Sequence, residues 1–160
     1  MESIHLSAPS KGARYGELLP LLQSLLDGEP DLVANLANAV GALRVCLADA
    51  SWVGVYRAVA GELVLGPFQG NVACTRIAWG RGVCGAAAAE ARTIVVPDVS
   101  VFPGHIACDA GTRSEIVVPI LRGGLVMGVI DVDSYQLAAF DADDAVGLGR
   151  VAGMLAELAW

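Results

Sequence analysis

"WVGVYRAVAGELVLGPF", residues 52–68, is the stretch on which the fold turns. Residues two apart in an extended chain share a face, and here the helical period of the preceding segment gives way to β-branched and aromatic residues at a period of two on both sides of Ala60-Gly61. Two such runs around a short turn predict a β-hairpin, 52–59 with 62–68. Upstream the period is helical. Asp31 is placed to cap a run in which Leu32, Leu36, Ala39, Leu43 and Cys46 recur at spacings of four, three, four and three, giving one apolar stripe. A leucine-rich first helix is expected over 13–27, with Pro20 near its start or at a kink. Downstream, "VACTRI" (72–77) reads as a third strand and "WGRGVCGAAAAEAR" (79–92) as a glycine-rich turn into a short helix. The strand "TIVV" and a turn at Pro97-Asp98 follow. "EIVVPIL" (115–121), Gly123-Gly124 and "LVMGVIDVD" (125–133) make a second hairpin. Residues 141–159 close the chain as a helix whose first turn is acidic, where the helix dipole favours negative charge. This order predicts an α+β domain: a central antiparallel sheet with the long N- and C-terminal helices on one face.

The 160 residues fit a single domain spanning 1–160, and a chain of this size buries roughly 70% of its unfolded surface. A formal net charge of −7, with ten basic residues and no basic run, argues against nucleic acid and anionic membrane as partners. "LLPLLQSLL" (18–26) is too short to span a bilayer, is broken by Pro20 and Gln23, and lacks the flanks of a signal peptide. A cytoplasmic location is the expectation. There, four cysteines are kept reduced unless cycling is their task.

Strand parity gathers candidate site residues. Trp52, Gly54 and Tyr56 point one way, an aromatic cup or simply core. Met127, Val129, Asp131 and Asp133 share a face of the later strand, the two carboxylates about 7 Å apart along it. Buried acids require a partner, and no lysine lies near in sequence, so a ligand ammonium or a cation is implied. Glu115 is a third acid at the start of the neighbouring strand. The alternatives are a wet, frayed strand end and a magnesium site.

"GRGVCG" (80–85) matches G-x-G-x-x-G, but the span from Ile77 to Val96 is too short for the roughly 30-residue unit of a dinucleotide fold. Free N–H groups at a helix start still attract an anion such as a ligand carboxylate, and favour a Cys84 thiolate. Cys46 lies on a helical stripe and reads as core. Cys74 lies in the third strand, Cys84 at the glycine turn and Cys108 in the loop. With His105 they make a conceivable zinc set without any C-x₂-C knuckle, or a redox set in which one thiol attacks and another resolves. Cys108 sits in "PGHIACDAGTRSE" (103–115), where Asp109 raises its pKa while protonated His105 or Arg113 lowers it.

"WVGVY", "LVLGPFQGNVAC", "GRGVCG", "GHIACDA", "SEIVVPI" and "GVIDVDS", in this order and spacing, resemble the free methionine-(R)-sulfoxide reductases, single-domain GAF enzymes. The resemblance runs from about Leu25 to the C-terminus; residues 1–24, an extension and helix, are poorly covered. It implies a GAF-like fold with the ligand pocket on the sheet face opposite the long helices. It also implies reduction of free L-methionine-(R)-sulfoxide, with thioredoxin as reductant and no cofactor or metal. By motif, Cys108 matches the catalytic cysteine, Cys74 the resolving one and Cys84 the third family cysteine. Trp52, Tyr56, Glu115, Asp131 and Asp133 match substrate-binding residues. The rival readings are a non-catalytic GAF sensory module, usually found beside an output domain, and a zinc-stabilised binding protein. The oligomeric state, a homodimer included, stays open.

Overall fold

The computed structural model describes residues 4–106 and 108–160. Its elements are α1 (Lys11–Leu26), α2 (Leu32–Cys46), β1 (Trp52–Val59), β2 (Glu62–Gln69), β3 (Arg76–Ala78), α3 (Gly82–Glu90), β4 (Ile94–Val96), β5 (Ser114–Arg122), β6 (Leu125–Ser134) and α4 (Ala142–Ala156), with a 3-10 turn at Val99–Val101. The six strands form one antiparallel sheet in the order β3-β2-β1-β6-β5-β4. Among the described residues no helix is long and apolar enough to cross a membrane.

Local chemistry fixes the helix starts. The Asp31 side chain accepts from the Ala34 N–H at 2.8 Å and opens α2. Asp141 and Asp144 form a reciprocal capping box that opens α4. α1 begins earlier than the leucine pattern implies, because Ser10 caps it, and this leaves Pro20 inside the helix. Pro20 is on the exposed side, where the carbonyl it leaves without a donor meets water. The buried residues of α1, Tyr15, Leu18, Leu22 and Leu26, keep one stripe. Both hairpins turn through two consecutive positive-φ residues, Ala60-Gly61 (50° and 84°) and Gly123-Gly124 (57° and 82°), the geometry that matches strand twist.

The sheet separates two apolar layers. On one side α1, α2 and α4 pack Leu18, Leu36, Leu43, Leu148 and Leu155 against Val53, Val55, Ile116, Val118 and Ile130. On the other, α3 covers Trp52, Tyr56, Val117 and Val129. Two expectations are corrected. Met127 packs with the helix-side layer, not with Val129. The register between β5 and β6 slips beyond Ile120, pairing Ile120 with Gly128 and Leu121 with Val126, and this bulge inverts the parity at Met127. The third strand is only Arg76–Ala78, so Val72–Thr75 is loop and Cys74 lies outside the ladder.

α4 approaches α1 closely because Gly147 has no side chain: a Cβ there would fall within the ring of Tyr15. Gly147→Ala is expected to force the helices apart and cost about 1–2 kcal/mol, lowering the thermal midpoint by about 2–8 °C in a melt followed by circular dichroism. An unchanged midpoint would show that this contact is not held tightly.

Candidate active site

Register carries the aromatic cup and the acids to one place. On the face away from the long helices, Trp52 pairs across with Asp133, Gly54 with Asp131 and Tyr56 with Val129. Glu115 of β5 pairs with Asp133 from the other side. The absence of a side chain at Gly54 is filled rather than left open: the Trp52 indole lies over it, 5.5 Å from the Phe68 ring and 6.0 Å from Tyr56, stacked on both. The aromatics are therefore both core and cleft wall. Their polar ends fix the loop that carries Cys74. Trp52 Nε1 donates to the Asn71 carbonyl at 3.0 Å, and the Tyr56 hydroxyl donates to the Cys74 carbonyl at 3.0 Å.

These residues line a cleft of about 510 Å³, open mouth included, within the usual range for a small-molecule site. Cys84, His105, Cys108 and all three acids reach it. Glu115 and Asp131 are each only 6% exposed, and Asp133 lies nearer the rim. Buried Asp131 is thus in the sheet interior, not at a frayed end. Its Oδ1 is fully buried and has no hydrogen-bond partner among the described residues. An unpaired carboxylate oxygen in such a place is costly unless a cationic group meets it.

Burial pushes all three carboxyls well up, the charges of their neighbours add to it, and Asp133 reaches about 9. For Glu115 and Asp131 burial is the largest cause, and the neighbouring carboxylates add to it. The cleft therefore stores protons near neutral pH. Cys84 differs from the sequence expectation. Burial and the charges of Asp131 and Glu115 push its thiol far up, which outweighs the helix start and keeps it protonated. Its sulfur lies 4.0 Å from Glu115 Oε1. Burial lowers the pKa of His105, and its Nε2 faces Glu115 Oε2 at 3.6 Å.

Cys74 and Cys108 are joined in a disulfide, 34 residues apart in sequence, with Cα atoms 5.6 Å apart and S–S 2.05 Å. Cys46 and Cys84 are free and buried, Cys46 in the helix-side core. The pairing removes two donors from the four-residue zinc set considered above. The glycine-rich turn does not build a dinucleotide unit either, because β3 and β4, on either side of α3, occupy opposite edges of the sheet. Arg81, Gly82 and Val83 do line the cleft at the start of α3. Among the described residues its N-cap, Arg81, makes no side-chain cap hydrogen bond, and the first N–H groups of an α-helix lack intrahelical acceptors.

One cluster was not legible in the sequence. Asp109 Oδ2 accepts from Tyr135 Oη at 2.8 Å and Asn71 Nδ2 at 3.0 Å, while its Oδ1 accepts from the Gly111 N–H at 2.8 Å. This clasp ties the Cys74 loop, the Cys108 loop and the end of β6 together. Hydrogen bonds to its charged form hold Asp109 below the usual carboxylate range. The sequence hint is an asparagine two residues after the end of β2 and a tyrosine directly after β6.

The fold and its cleft define a GAF domain, and the chain belongs to that family: the GAF domain profile matches residues 30–159. Within it, the chain groups with the free methionine-R-sulfoxide reductases. It is 45% identical to the free methionine-R-sulfoxide reductase of Saccharomyces cerevisiae over 147 residues, 87% of this chain and 82% of that protein. GAF domain-containing protein A of Dictyostelium discoideum is 47% identical over 155 residues, covering 96% and 98% of the two chains. The X-ray structure of the Neisseria meningitidis free methionine-R-sulfoxide reductase in complex with its substrate superposes with a TM-score of 0.94 at 49% identity, covering 98% of this chain and 95% of that one.

Proposed function

We propose that this protein reduces free L-methionine-(R)-sulfoxide to L-methionine, with Cys108 as nucleophile and Cys74 as the resolving cysteine. The observation that carries the reading is the Cys74–Cys108 disulfide on a cleft that also presents buried, proton-holding acids and an aromatic wall. The acids attract the ammonium, and the unpartnered Asp131 Oδ1 is the acceptor waiting for it. The open N–H groups at the start of α3 suit the carboxylate. Trp52 and Tyr56 suit the methyl-sulfoxide end. A peptide-bound methionine offers neither free charge, so the cleft favours the free amino acid.

In this reading Cys108 sulfur attacks the sulfoxide sulfur; the transient S–S bond and the substrate S–O bond then break as the oxygen passes to Cys108. The sulfoxide gains two electrons, and Cys108 loses two and becomes sulfenic acid. An ammonium beside the acids favours ionisation of one of them; its proton goes to the departing oxygen and the Cys108 thiol proton passes to the carboxylate, so no net proton is gained or lost. Cys74 thiol then displaces water from the sulfenic acid and forms the disulfide seen here. Thioredoxin, a dithiol of the cytoplasm, restores both thiols by exchange. Cys84, protonated and buried, is placed for the cleft floor rather than for resolving.

The test is incubation of the protein with both epimers of free methionine sulfoxide and thioredoxin or dithiothreitol, followed by chromatographic resolution of what remains. The R epimer is expected to disappear and the S epimer to persist. An unchanged R epimer rejects the reductase and leaves a GAF binding module.

A further inference from the structure

We propose that Cys84, Glu115, Asp131 and His105 form a binding site for a divalent cation of the zinc class, which competes with the substrate ammonium. Cys84 Sγ and one oxygen each of Glu115 and Asp131 lie within 4.8 Å of one another, and all three residues are buried. His105 Nε2 stands 3.6 Å from Glu115 Oε2, and all four side chains reach the same cleft. Zinc bonds of about 2.0–2.3 Å in tetrahedral geometry place donor atoms roughly 3.3–3.8 Å apart, a spacing the three clustered donors approach; His105, outside that 4.8 Å group, is the fourth ligand the metal would draw in.

Two further features point to a cation. Among the described residues, buried Asp131 Oδ1 has no hydrogen-bond partner, which leaves an acceptor for a cation. The donor set also mixes a thiol and an imidazole with carboxylates, which favours zinc or cobalt over magnesium or calcium. On binding, the metal replaces the Cys84 thiol proton and the acids' protons, which pass to solvent; no oxidation is involved. Cys84 keeps its thiol whether or not Cys74 and Cys108 are joined, so the disulfide form retains the site. Competition with the ammonium rests on the reductase reading; the metal site itself does not.

The experiment uses the full chain in its disulfide form with Cys46→Ala, in which Cys84 is the one remaining thiol. Titration with Co²⁺ is expected to saturate at one equivalent with a thiolate-to-cobalt charge-transfer band, and Zn²⁺ is expected to displace it. Adding Cys84→Ser should abolish the band, and His105→Ala, on a loop, should weaken Zn²⁺ binding at least tenfold. L-methionine, which carries the same ammonium, should weaken Co²⁺ binding in proportion to its concentration. No saturable binding, a band surviving Cys84→Ser, or full affinity in His105→Ala overturns the site. A normal band unaffected by methionine overturns the competition. A protein inactive on the R epimer that still shows the band loses the reductase reading alone, and an active protein without the band loses only the metal site.

Discussion

Cys108→Ser is expected to abolish reduction of free methionine-(R)-sulfoxide, by on the order of 10³-fold or more, because a hydroxyl cannot take up the oxygen as a sulfenic acid. Cys74→Ser should behave differently. The first oxygen transfer precedes the disulfide, so the reduced variant should still release one methionine per chain without reductant. It should then stop turning over with thioredoxin, which needs a disulfide to attack. Rapid quench with methionine quantified separates the two. A Cys108→Ser variant that still yields its first methionine, or a Cys74→Ser variant that yields none, exchanges the assigned roles. Cys74→Ser turning over with thioredoxin at the parent rate transfers resolution to Cys84, against the burial that holds that thiol protonated.

The second large effect is on the acids. Asp131→Asn keeps the shape of the cleft and removes the charge available to the ammonium, worth about 1.5–3 kcal/mol for a charge-assisted hydrogen bond. KM should rise about 10- to 100-fold. The same change should stabilise the protein without substrate, since the carboxyl is there for binding and not for folding; about 1 kcal/mol, or 2–4 °C in the thermal midpoint, is the expected scale. The sign with pH follows from the raised pKa values. The folded protein holds protons that the unfolded chain has lost, so these acids cost nothing below about pH 4. Their cost grows as pH rises toward the folded-state values, about 9 for Asp133. Stability of the parent should therefore fall between pH 5 and 9 more steeply than that of Asp131→Asn, as read by denaturant titration. Parallel pH profiles, with KM unmoved, would place Asp131 outside the ammonium site.

Much of the frame was legible because it is written in local periodicities. The stripe of α2 and the alternation of β1 both survive folding, since each side chain's face is set by its own backbone. The same rule assigned Trp52, Tyr56, Asp131 and Asp133 to one face, and pairing then brought them together. It failed at Met127, where a bulge changed the count. It failed again at Cys74, because a residue held by the Tyr56 hydroxyl need not continue a strand, however strand-like its neighbours. The environment of Cys84 was likewise invisible: a helix start predicts a thiolate, while buried acids from two distant strands reverse it.

By itself, then, the sequence determined the α+β layering and the shared face of the aromatics and acids, and its motifs, by resemblance, pointed to the reductases. Only the tertiary structure decided the Cys74–Cys108 bond, the Asn71–Asp109–Tyr135 clasp and the meeting of His105 with Glu115. The physical reason is that loops carry no period. Their side chains are placed by contacts between segments far apart in the chain, and those contacts exist only once the sheet has fixed where each loop begins and ends.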